Sequence, residues 1–153
     1  MQFIANHLPT AARLLLGFVF FVFGLNGFLG FMPQPSMPAE AGQFMGALAE
    51  SGYFFPVLKA LETLSGLALL TGAFVPLALT VLAPIVSQIA LFHVFLAPGG
   101  LPIALFLLAA ELYLAWAYRD AFRGVLQARA QPSTPASRDA AAPGWNRKHS
   151  AAA

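Results

Sequence analysis

Five polar side chains fall within stretches of sequence that are otherwise almost wholly apolar: Asn26, Glu62, Gln88, His93 and Glu111. A charged side chain at mid-depth in a lipid bilayer costs on the order of 2.5 kcal/mol or more, so a residue of this kind indicates that the structure or the function requires it. We therefore treat these five residues as candidates for ligand binding or proton handling. The alternative for each is a hydrogen bond that holds helices together or sits at the membrane interface.

Glu62 has a possible partner on its own helix. Lys59 stands three residues before it, so the two side chains can pair on one helix face, with Glu62 ionised and Lys59 extending outward. A protonated Glu62 is the alternative. Small residues on a helix face let a neighbouring helix approach closely. Most of the residues that share the face of Glu62 are small: Ser65, Gly66, Leu69, Gly72 and Ala73. The pattern therefore predicts that Glu62 points into a helix bundle.

Gln88 and His93 lie about 140° apart around one helix, at 100° per residue, so both cannot face the same neighbour squarely. Gln88 shares its face with Thr80, Pro84, Ser87 and Leu91. At least one of the two candidates is therefore expected at a flank or at the interface.

No motif for an enzyme or a metal site accompanies these residues. The chain has no cysteine, which excludes disulfides, thiolate nucleophiles and cysteine-ligated metals. Neither His-x-x-His nor Glu-x-x-His spacing occurs, so no metal site is predicted. A phosphate-binding loop, a dinucleotide fingerprint and a serine-nucleophile motif are absent from the sequence as well. An enzyme acting alone is therefore the least favoured class.

The composition identifies the surroundings of these side chains as a membrane. Of the 153 residues, eight are basic and six acidic, which is 9% against roughly 25% in a soluble domain. The hydrophobic fraction is 59%. A soluble domain could not cover its surface with so few charges. The net charge of +2, with no basic stripe, gives no indication of nucleic-acid binding.

The expected fold is an all-α integral membrane protein, an antiparallel bundle of four transmembrane helices. Apolar runs of about 20 residues are needed for each crossing. The sequence offers four, at about 14–32, 56–74, 77–97 and 101–118. Short connections between the later spans force neighbouring helices to be antiparallel.

Two segments outside the spans have distinct patterns. Residues 39–51 have Phe44, Met45 and Leu48 at helical spacing, which predicts a short amphipathic helix at the membrane surface between spans one and two. Residues 127–153 are rich in Ala, Pro, Ser and Arg, which predicts a disordered cytoplasmic tail after a membrane domain at 1–126.

The distribution of basic residues predicts the orientation. Seven of the eight basic residues lie before span one or after span four, and Lys59 lies at the opposite end. With four spans, both termini are therefore expected in the cytoplasm. This orientation puts Asn26, Glu62 and His93 in one outer layer, and Glu111 in a deeper layer nearer Gln88.

Two segments of the sequence resemble the DoxX-like family of small bacterial membrane proteins. The first is Arg13–Gly17 followed by Gly24–Phe28, and the second, more specific one is Leu61–Gly72, with a glutamate, small residues and a leucine run that ends in glycine. The resemblance covers about residues 10–122. Asn26 replaces the lysine usual in that family, so a Lys–Glu pairing between spans one and two is unavailable.

The resemblance implies a four-helix fold in the bacterial inner membrane and an association with quinone-linked redox or oxidative-stress systems. We therefore expect an accessory or anchoring subunit in the lipid bilayer, with a membrane-protein partner or a second copy, and with quinone as a possible cofactor. Two alternatives stay open. One is a small-solute or proton-coupled permease, and the other is a purely structural membrane-assembly protein.

Overall fold

The protein is predominantly helical in the part that the computed structural model describes, which is residues 2–33, 36–124 and 126–129, with side chains from residue 7 onward. Five α-helices and no β-strand occur in these ranges: α1 (Gln2–Leu29), α2 (Ala39–Glu50), α3 (Phe54–Thr71), α4 (Val75–Phe95) and α5 (Leu101–Ala117). Single 3₁₀ turns at Pro98–Gly100 and Arg119–Phe122 precede and follow α5. The all-α class is confirmed.

Four of these helices have the length and hydropathy needed to cross a membrane, at His7–Leu29, Phe54–Thr71, Val75–Phe95 and Pro98–Ala117. The expected four spans are therefore present, and many large apolar side chains on them are exposed, as suits helices with lipid as their solvent. The described residues up to Phe122 form one compact unit. Of the tail expected at 127–153, all but residues 127–129 lie outside the described residues.

Glycines and prolines shift the helix ends from those expected. The first helix begins well before residue 14 and ends at Leu29, because Gly30 adopts a positive φ of 61° and its N–H bonds to the carbonyl of Asn26 at 2.8 Å. The third helix likewise ends at Thr71 because Gly72, at φ 77°, caps it. Pro76 lies in the first turn of α4, where a missing N–H leaves no helical hydrogen bond unmade.

The closest helix contact joins α1 to α3, backbone to backbone. A Cβ atom on Gly66 of α3 would lie 2.8 Å from the carbonyl oxygen of Gly17, and one on Gly24 of α1 would lie 2.7 Å from the amide nitrogen of Thr63. The pairs Gly17–Leu69 and Gly24–Thr63 run in opposite directions along the two helices, so α1 and α3 are antiparallel. Close packing of this kind is a main source of helix association in lipid.

A leucine-rich core fills the space between the four long helices. Each long helix contributes side chains that are almost fully buried there: Leu16 and Phe20 of α1, Leu69 of α3, Leu82 of α4 and Leu114 of α5. The short α2 occupies residues 39–50, where the amphipathic pattern predicts a helix, and Ala41 is its one buried residue. Phe44 of α2 contacts Phe92 of α4 at a ring-centroid separation of 6.2 Å.

Gly66→Ala tests the α1–α3 contact. The added methyl group would meet backbone atoms of α1, which cannot rotate away, so we expect the free energy of unfolding to fall by about 1–3 kcal/mol. Gly46→Ala in α2 is the matched control, because a Cβ atom there meets no other atom within 4 Å. Unfolding by a denaturing detergent in mixed micelles measures both variants. Equal stability of the two would contradict the close approach.

Candidate functional site

Lys59 and Glu62 form an ion pair on α3. Lys59 Nζ lies 2.7 Å from Glu62 Oε2, and the Glu62 side chain is 4% exposed against 22% for Lys59. The aliphatic part of the lysine packs against Gly27 of α1, and Thr63 Oγ1 donates to the Lys59 carbonyl at 2.7 Å. The structure therefore contains the pair that the three-residue spacing predicts, and it gives the buried carboxylate a charged partner within its own helix.

The buried face of α3 agrees with the sequence pattern. Glu62, Ser65, Gly66 and Leu69 are buried, so Glu62 points into the bundle as expected. The predicted face also included Gly72 and Ala73, which are exposed because the helix has already ended before them.

Asn26 acts at the end of α1. Its Oδ1 accepts a hydrogen bond from the amide of Met32 at 2.7 Å, while its backbone carbonyl accepts the Gly30 N–H. Both contacts stabilise the turn that terminates the helix. In the described part of the chain, Asn26 makes no hydrogen bond to Glu62 or His93, the two residues expected beside it.

His93 and Gln88 occupy different faces of α4, as their angular separation predicts. His93 is half-buried, its Nδ1 donates to the carbonyl of Ala97 at 2.9 Å, and its ring packs against Gly100. The histidine therefore joins the end of α4 to the turn before α5. Gln88 is exposed and forms no hydrogen bond with the described residues, which makes it the candidate that faces away from the bundle.

Glu111 is the buried candidate that no partner accounts for. The residue is 4% exposed on the α5 face that also buries Ala104, Leu107 and Leu114. Its Oε2 is fully enclosed and has no hydrogen-bond partner among the described residues. An unsatisfied carboxyl oxygen in an apolar interior is costly, so this position requires an explanation beyond packing.

Arg13 makes a polar contact that the sequence analysis did not predict. One guanidinium nitrogen, Nη1, donates to the carbonyl of Leu69 and lies 3.4 Å from that of Leu70, at the C-terminal end of α3. A cation at this end of a helix satisfies free carbonyls and complements the helix dipole. The sequence offers one indication of this contact. Gly17 stands one turn after Arg13, and Gly17 packs against the same end of α3.

Two shallow grooves lie between the long helices. The larger, between α1 and α5, has a volume of about 350 Å³ and is apolar apart from one tyrosine; its walls are Leu8, Ala11, Ala12, Leu15, Phe106, Ala109, Ala110 and Tyr113. The smaller, between α3 and α4, has a volume of about 260 Å³, and Ser65 is its polar residue. By helical angle, Glu111 lies about 150° from the α5 wall of the larger groove.

The described residues contain no cluster of three or more side chains of the metal-ligating types His, Cys, Asp and Glu. Comparisons with protein-family models, with curated proteins and with solved structures find no match to this chain.

Removing the partner of Glu62 tests the ion pair. Lys59→Met leaves a buried carboxylate without its donor, so we expect the free energy of unfolding to fall by about 1–3 kcal/mol. Adding Glu62→Gln should recover part of that loss, because the unpaired charge is then gone. Detergent unfolding of the two single variants and the double variant completes a mutant cycle. Strictly additive losses would show that the 2.7 Å contact contributes nothing to stability.

Proposed function

We propose that this protein is a small membrane-spanning accessory or anchoring subunit that supports a quinone-linked redox partner. The observation that carries the proposal is where its polar side chains form their contacts, which is at helix ends and within single helices. Arg13, Asn26 and His93 each bond to carbonyl or amide groups that terminate a helix, and Lys59 pairs with Glu62 inside α3. Such a bundle is a scaffold, and the redox chemistry would belong to its partner.

The quinone link is supported by the groove between α1 and α5. Its volume of about 350 Å³ falls within the usual range for small-molecule sites, and its walls are apolar except at the hydroxyl of Tyr113. An isoprenoid quinone dissolves in the bilayer and offers carbonyl oxygens that a tyrosine hydroxyl can donate to. The resemblance of residues 10–122 to the DoxX-like family adds support, since that family is associated with quinone-linked systems.

The distribution of charge supports the proposed location, the bacterial inner membrane with both termini in the cytoplasm. Arg13 lies near the N-terminal end of the first span and Arg119 just after the C-terminal end of the last, which is the side proposed as cytoplasmic. Lys59, near the start of the second span, lies at the other side. Arg119 also lies over the ring of the exposed Trp116 at 4.8 Å, a combination typical of a membrane interface.

Filling the groove tests quinone binding. We expect protein purified in mild detergent to retain quinone, and Ala109→Phe to reduce the retained amount to that of empty micelles, because the new ring occupies the groove. Tyr113→Phe, which removes only the hydroxyl, should lower retention less. Mass spectrometry of lipid extracts measures quinone per protein.

Leu112→Phe is the matched control, since Leu112 is exposed on α5 and does not line the groove. We expect it to retain quinone like the unmodified chain. If the unmodified protein holds no more quinone than empty micelles, the quinone link is wrong and the purely structural alternative is favoured.

One observation favours a second candidate, a proton-coupled permease. The enclosed Oε2 of Glu111 lacks a partner among the described residues, and an intramembrane carboxyl group of this kind is typical of proton relays. In this candidate function, Glu111 takes up and releases the proton that is coupled to solute movement.

Proton flux into liposomes tests the second candidate. With a potassium diffusion potential as driving force and an enclosed pH-sensitive dye as reporter, we expect the unmodified protein to pass protons and Glu111→Gln to reduce the flux to that of protein-free liposomes. Glu62→Gln is the comparison, because Glu62 already has Lys59 as its partner and should affect flux less. Equal flux with and without protein would exclude proton transport under these conditions.

A further inference from the structure

Gln88 presents an amide group to the surroundings of a membrane-spanning helix. The residue is exposed, and it lies three residues beyond the midpoint of α4 (Val75–Phe95), which is about 4.5 Å along the helix axis. It therefore sits near the middle of the span. Lipid tails offer neither donors nor acceptors, and Gln88 has no hydrogen bond within the described chain.

The surface around this amide differs from the apolar surface expected against lipid. We call it the Gln88 face, and it consists of five exposed residues: Thr80, Pro84, Ser87, Gln88 and Leu91. The hydroxyl of Thr80 donates to the Pro76 carbonyl at 2.8 Å, and that of Ser87 donates to the Ala83 carbonyl at 2.7 Å. Both are satisfied within α4, so the amide is the one side-chain polar group of the face that lacks a partner.

The Gln88 face is free of the chain's own bundle. The bundle covers a different side of α4, where Leu79, Leu82 and Val86 are buried in the core. Small side chains at Thr80 and Ser87 let the backbone of another helix come close, as in tightly packed transmembrane helix pairs. The face thus has both an unmet hydrogen-bonding requirement and room for an approaching helix.

We propose that a second copy of this chain packs on the Gln88 face and forms a two-fold symmetric dimer through α4. An amide both donates and accepts, so a second amide satisfies it completely. Copies inserted in the same direction have Gln88 at the same depth, and a two-fold axis along the membrane normal brings the two amides together. The face carries no charge, so it offers nothing to select a basic or acidic partner helix.

Cysteine cross-linking in liposomes tests this dimer, because the chain has no cysteine of its own. Leu91→Cys places one thiol on the Gln88 face, and Leu112→Cys places one on the exposed surface of α5 as the matched leucine control. We expect oxidation to link the Leu91→Cys protein into a covalent dimer that persists on dilution with lipid. The Leu112→Cys protein should stay monomeric.

Substitution of the amide then tests its role. Adding Gln88→Leu to Leu91→Cys should weaken dimerisation at least about fivefold, measured as the protein-to-lipid ratio that gives half-maximal cross-linking. Gln88→Asn keeps an amide and should retain most of the association. Because Gln88 is exposed, neither variant disturbs the core.

Three results would overturn the proposal. One is an unlinked Leu91→Cys protein at every lipid ratio, which would leave the face to lipid or to a different protein. The second is equal cross-linking at Leu91 and Leu112, which indicates random collision. The third is a Gln88→Leu protein that dimerises as well as the unmodified chain.

Discussion

Every polar group inside a bilayer must find its hydrogen bonds within protein, and this constraint explains most of the polar contacts of the bundle. Asn26 and His93 bond to main-chain groups at the ends of α1 and α4, and Arg13 bonds to carbonyls at the end of α3. The polar residues are thus used where the regular helical hydrogen bonds run out. The same constraint makes the two exceptions informative: the enclosed oxygen of Glu111 and the outward amide of Gln88.

The close approach of α1 and α3 determines where several of these contacts can form. Glycines at positions 17, 24 and 66 bring the two backbones together, and this register places Gly27 on the stem of Lys59 and Arg13 at the end of α3. The side chain of Lys59 is therefore held close to Glu62 both by its own helix and by its packing against α1. Helix packing and electrostatics are consequently coupled at this interface, since a change in register would move both cations.

Periodicity predicts much of the fold because it reports a property of each helix alone. Four spans, the α2 helix, the buried face around Glu62 and the pairing with Lys59 all follow from spacing along one segment. The contact of Arg13 with Leu69 joins residues 56 apart, and it depends on a register between helices that spacing does not specify. The angle between Gln88 and His93 follows from their spacing along α4. Which of the two faces away from the bundle depends on where α3 and α5 pack, and spacing does not specify this. Asn26 was expected in a polar layer, but in the structure it stabilises the turn that ends α1. Local sequence patterns locate helix ends poorly, so this role was not predicted.

The antiparallel contact between α1 and α3 also bears on how the protein is made. All of the residues that form it, together with Arg13 and the carbonyls it binds, precede position 73 in the chain. A ribosome that has released this much polypeptide has therefore delivered every component of the first helical hairpin, before any of α4 follows. We therefore expect the hairpin to associate in the bilayer first, and α4 and α5 to insert against the surface that it presents.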